Sequence, residues 1–169
     1  MANTYTLISK TVLTGTQSSI SFTSIPSTYT DLLLCYSVRS NSGTDTVYAQ
    51  TITFNGSSSS FSAKFLYAYN GSTGSYSNTT GSIGPSPSSL ATSNTFGNAS
   101  IYIPNYTSSN NKSFTIDNVS ENNGTESELD LIAGLWSNTA AISSITIAPN
   151  SGASYVQYSS AYLYGIKNS

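Results

Sequence analysis

The side chains that could do chemistry in this chain are few. It contains no histidine, which removes the usual general base at neutral pH, every histidine-based metal site and any Ser-His-Asp triad. Acid–base work would fall to carboxylates, of which there are seven among 169 residues. Asp117 and Glu121 flank one strand end, whereas a glycosidase needs two carboxyls facing each other across a substrate. Four residues of extended chain place this pair roughly 13 Å apart on one side of a single strand. Glu121, Glu126, Glu128 and Asp130 crowd the mouth of the next strand, but their spacing matches no calcium loop, and they read as a turn with solvated carboxylates. The expectation is a non-enzymatic protein with no catalytic residue, cofactor or bound metal.

The other chemistry-bearing types point to contact. Trp136 and the series Tyr155, Tyr158, Tyr162 and Tyr164 could stack on sugar faces, yet alternating tyrosines are also ordinary sheet packing and suit a protein interface. The five cations, Lys10, Arg39, Lys64, Lys112 and Lys167, are scattered and form no stripe that could displace phosphate counterions. Nucleic acid is therefore not an expected partner. Cys35 is the single cysteine, so no intrachain disulfide can form, and its Leu-Leu-Leu-Cys-Tyr setting predicts a small buried residue.

These residues must be positioned by strands. Although only 7% of the chain is charged, 13 Tyr, 6 Phe and a Trp argue against disorder, and 37% hydrophobic residues suffice for one core. The most apolar long run, Leu129 to Trp136, reads as a central strand, with Leu129, Leu131, Ala133 and Leu135 on one face and Ile132 and Trp136 on the other, both at least partly covered. Period-two alternation predicts further strands in 5–13, 19–23, 31–39, 47–55, 65–69, 100–104, 113–119, 142–147 and 160–166. Asn55-Gly56, Asn70-Gly71 and Asn123-Gly124 supply turns. Residues 72–93, rich in Ser, Thr and Gly and ending near Pro85 and Pro87, read as a long loop, either a contact element or a mobile one.

About ten short strands with no amphipathic helical stretch predict a single all-β domain over 1–169, an antiparallel two-sheet β-sandwich in jelly-roll style. No apolar run approaches membrane-spanning length, so no membrane partner is expected. The first residues lack the basic start and apolar block of a signal peptide, which predicts synthesis in a cytoplasm without general export.

Several phrases of the chain are more specific. Asn94-Thr-Phe-Gly-Asn, Ile101-Tyr-Ile-Pro-Asn-Tyr, Asn111-Lys-Ser-Phe, Glu121-Asn-Asn, Ala133-Gly-Leu-Trp-Ser, Ala140-Ala-Ile-Ser-Ser-Ile and Leu163-Tyr-Gly-Ile in the second half resemble a family of small virion structural proteins of tailed bacteriophages. Ser24-Ile-Pro, Tyr29-Thr-Asp-Leu-Leu-Leu and Ile52-Thr-Phe-Asn-Gly extend the likeness through the first half, and it weakens over residues 72–93. The resemblance brings no catalytic residue. It implies a β-sandwich attached to a particle, a capsid cement or decoration protein made in the host cytoplasm and placed on the capsid surface of the virion. Its implied partners are the major capsid protein and further copies of itself, as a homo-oligomer, with a trimer by analogy. On that reading a short amino-terminal arm, residues 1–8, and one aromatic-bearing sheet edge make the contacts, with Thr4, Tyr5, Tyr155, Tyr158 and Tyr162 as interface candidates. The 72–93 loop then faces outward or bridges subunits. The alternative reading is a tail or fibre domain that binds host-surface glycan.

Overall fold

The computed structural model describes residues 5–124 and 126–167. Every regular element among them is a strand, twelve in all. In chain order these are β1 (Tyr5–Val12), β2 (Ile20–Phe22), β3 (Asp31–Val38), β4 (Val47–Phe54), β5 (Phe61–Tyr69), β6 (Ser72–Asn78), β7 (Ser82–Pro87), β8 (Gly97–Ile103), β9 (Lys112–Ser120), β10 (Glu128–Trp136), β11 (Ile145–Pro149) and β12 (Ser160–Ile166). They form an eight-stranded sheet, in the order β1-β12-β3-β8-β9-β10-β5-β6, and a four-stranded sheet, β2-β11-β4-β7. All of these pairings are antiparallel. The protein is an all-β sandwich.

The core lies between the two sheets. Alternate residues of each strand point inward: Leu32 and Leu34 of β3, Ile52 and Phe54 of β4, Ile101 and Ile103 of β8, Ile145 and Ile147 of β11. Toward one end the interior is aromatic, with Phe54 at 5.5 Å from Trp136 and 5.6 Å from Phe114, both edge to face. Burying each such side chain contributes about 1.5–3 kcal/mol. Two cations are spent on holding loops. Arg39 Nη1 donates to the carbonyl of Thr92 at 2.8 Å and Nη2 to that of Ala91 at 3.0 Å, and buried Lys112 Nζ donates to Ser108 O at 2.7 Å.

Three expectations are corrected. The 72–93 loop contains two strands. Asn70 (φ 49°) and Gly71 (φ 76°) form a two-residue hairpin that returns the chain as β6, pairing Tyr69 with Ser72 and Ala63 with Asn78. β7 carries Pro85 and Pro87 in an edge strand, where a missing N–H need not break a ladder, and its residues from Ile83 to Pro87 are buried. The strand expected over 5–13 is β1, which takes in the described part of the amino-terminal arm and pairs along β12 from Tyr5 opposite Ile166 to Val12 opposite Ser160. Cys35 is half-buried on the outer face of β3 rather than enclosed.

The third correction concerns β10. It is central to the large sheet, between β9 and β5, but its leucine face is not covered. Leu129 and Leu131 are each 51% exposed, and Leu66, opposite Leu131 on β5, is 58% exposed. The inward face is Asp130, Ile132, Gly134 and Trp136. Directly opposed residues of neighbouring strands share a face, and Ile132 stands between Phe65 and Ile116. The flanking phenylalanines and isoleucine therefore decide which side of β10 enters the core.

Candidate functional site

The same inversion that exposes the leucines carries two carboxyls inward. The large sheet has twice as many strands as the small one, and the inner face of its β5–β6–β10 end is not fully roofed. A cleft of about 320 Å³ opens there, lined by Asp45, Val47, Tyr67, Tyr69, Tyr76 and Glu128. It continues along the edge of the small sheet past Tyr48, Gly84 and Pro85.

Each wall has a local cause. Tyr67 and Tyr69 follow Phe65 at two-residue spacing on β5, and Glu128 and Asp130 lie opposite Tyr69 and Tyr67 on β10. Tyr76 of β6 faces Phe65 and stacks on it, with ring centroids 4.3 Å apart and planes 11° from parallel. Its ring stands 5.8 Å from that of Tyr67 at 58°, so the two make non-parallel walls. Gly74, opposite Tyr67, is what admits that ring: a Cβ there would lie 2.6 Å from Tyr67 Oη.

The inner end is electrostatically unusual. Asp130 is only 2% exposed, and neither of its oxygens receives an N–H or hydroxyl donor; the Glu128 carboxyl beside it can donate only while protonated. Burial first, and then the charge of Asp130, pushes the Glu128 carboxyl up to about 7. Burial pushes Asp130 up to about 6, against the lowering effect of the Glu128 hydrogen bond. Asn118 Oδ1 also lacks a donor, its amide nitrogen being turned toward Tyr36 Oη at 3.5 Å. These acceptors converge behind Gly84, whose φ is +86° and whose Cβ position would lie 2.8 Å from Asp130 Oδ2 and 2.9 Å from Asn118 Oδ1. Desolvation and the two carboxyl charges also raise the Tyr76 phenol well above its ordinary value.

No group of three or more His, Cys, Asp or Glu side chains that could hold a metal occurs among the described residues. Glu121 is used locally, accepting from Asn123 N at 2.7 Å, which fits the turn expected there. Glu128 and Asp130, by contrast, are not solvated turn residues. Their positions alternate with Leu129 and Leu131, so when those leucines turn outward this pair turns in.

The interface candidates fare differently. Thr4 lies outside the described residues. Tyr5 is exposed at the end of β1 where Ile166 pairs with it; Tyr158, 69% exposed, sits near Leu13 at the other end, and half-buried Tyr162 lies between them opposite Lys10. These three are strung along the β1–β12 edge rather than gathered in one patch. Tyr155 is corrected: it is fully buried, its backbone paired with Gln17 and its ring in the core, so it presents nothing to a partner. Trp136 is buried too, which dissolves the sugar platform expected from it and Tyr155. Leu129 and Leu131, expected on an at least partly covered face, are exposed, and Leu66 joins them. No family model matches the chain, and no curated protein matches it either.

Proposed function

We propose that the protein is a non-enzymatic structural component of a tailed-bacteriophage particle, a capsid cement protein that binds the major capsid protein and stabilises the head. The observation that carries this reading is the leucine strip. Leu66, Leu129 and Leu131 lie side by side on the outer face of the large sheet with Ala68, Val119 and Ala133, bordered by Asp117, Ser75 and Lys64. Contiguous apolar surface of this kind marks an interaction site, and the phage resemblance of the sequence supplies the kind of partner. The exposed Tyr5, Leu7 and Val12 on β1, the edge strand paired on one side to β12, give a second surface suited to contact with sister copies.

The test is co-sedimentation of purified protein with undecorated capsids. Wild type is expected to saturate the particle at hundreds of copies, whereas Leu66→Ser/Leu129→Ser/Leu131→Ser folds normally and stays in the supernatant. Decoration by the triple variant at wild-type occupancy would rule out this face. A second reading, a tail or fibre domain binding host-surface glycan, is favoured by the tyrosine-lined cleft. It predicts few copies per virion and retention on a glycan array.

A further inference from the structure

We propose that the cleft between β6 and β7 binds a protonated amine, the ammonium of a lysine side chain on a partner protein. The inference is independent of the leucine strip and of capsid decoration. It rests on three features of the cleft that agree with one another.

The first is charge. Asp45 and Glu128 line the opening, Asp130 lies beneath it, and no lysine or arginine lines the cleft to neutralise them. The second is the uncompensated inner end: Glu128 lines the cleft, and Asp130 and Asn118 Oδ1, closed off behind Gly84, have no donor beyond the proton that Glu128 could lend, so the negative charge is not offset from within the fold. An ammonium offers three donors and the positive charge that offsets Glu128 and Asp45, whereas a neutral sugar brings no charge to them. The third is the aromatic wall. Tyr67 and Tyr76, inclined at 58°, line the same space as Glu128, and aromatic rings attract a cation placed over a face through their quadrupoles. Val47 and the rings give the four-carbon stem of lysine an apolar track, while its head reaches Glu128.

The titratable groups facing the carboxyl pair are Asp45 before β4, Tyr36 of β3, Tyr67 and Tyr69 of β5, Tyr76 of β6, and Glu126. None is cationic. Ionisation of Glu128 and Asp130 therefore strengthens binding as pH rises, while lysine stays charged throughout.

The experiment follows the tyrosine ring signals by NMR during titration of the full chain with Nα-acetyl-lysine amide, Nα-acetyl-norleucine amide, glucosamine, N-acetylglucosamine and calcium chloride. Saturable shifts with the lysine probe alone are expected, tightening between pH 5 and pH 8. Glu128→Gln and Tyr76→Leu should each weaken binding about fivefold or more, with unchanged circular dichroism. Asp45→Asn, at the exposed rim, gives a third variant whose folding is not in question. Equal binding of the norleucine probe would make the cleft an apolar slot. Displacement of lysine by calcium would make it a metal site. Tighter binding of either sugar would assign it to glycan, and no saturable shift with any probe would end the proposal.

Discussion

The two faces of β10 are of opposite character to what their residues suggest. Outward it shows Leu129 and Leu131; inward, at the same end, it buries Asp130 and half-buries Glu128. Further along the strand the inward residues are Ile132 and Trp136, and the conflict disappears. One end of the strand is thus ordinary core while the other pairs a greasy exterior with an acidic interior. A strand cannot rotate residue by residue: its parity is common to all nine positions, so the Trp136 end fixes the face and the Glu128 end accepts it. Sites that break local rules in this way are where function is expected, and here the break yields both an exposed leucine strip and an acidic cleft.

The comparison breaks most violently at its anchor. Trp136→Ala should remove about 3–5 kcal/mol of stability, read as a fall in the urea midpoint. A loss below about 1 kcal/mol would mean that Phe65 and Ile116 hold the parity of β10 without it. Next is Gly84→Ala, which puts a Cβ into a positive-φ position and against the Asp130 and Asn118 side chains. It should cost about 1–3 kcal/mol, and a neutral result would show that the carboxyl does not sit behind this glycine.

The acidic face has a pH signature of defined sign. Both carboxyls titrate higher in the folded chain than in the unfolded one, so the folded state binds the extra protons and is favoured by acid. Their contribution is fully present below about pH 4 and is lost as pH rises through 6 to 7. Thermal melts should give a higher Tm at pH 5 than at pH 8. Asp130→Asn should raise the pH 8 value toward the pH 5 one and flatten the difference; an unaltered slope would place the titrating group elsewhere.

The smallest effect belongs to the outer face. Leu129→Ser and Leu131→Ser should each change stability by no more than about 0.5 kcal/mol, where Ile132→Ala between Phe65 and Ile116 should cost about 2–5 kcal/mol. Equal losses at Leu131 and Ile132 would mean that the leucine strip is covered within the folded chain after all.

Much of the architecture could be read in advance. Ten of the strands follow from alternation, and the absence of helix follows from the absence of a 3.6-residue period. β6 and β7 did not, for different reasons. Ser72-Thr-Gly-Ser-Tyr-Ser-Asn has a single large side chain, and its place in the sheet comes from backbone hydrogen bonds and the Tyr76–Phe65 stack. Asn70-Gly71 was nonetheless a hairpin signal, and following it would have found β6. The prolines of β7 argue against a strand unless the strand is known to be an edge, which local sequence does not say. The cleft was hidden for the same reason, since two of its walls are these strands.

The sequence alone determined the two-residue period of each strand, because successive side chains of extended backbone must point to opposite sides. It left open which side of β10 turns inward, because its own residues favour the leucines. That choice was made by register. With Trp136 set between Phe61 and Lys112, and Ile132 between Phe65 and Ile116, the strand shares its neighbours' inward face, and Glu128 and Asp130 come with it.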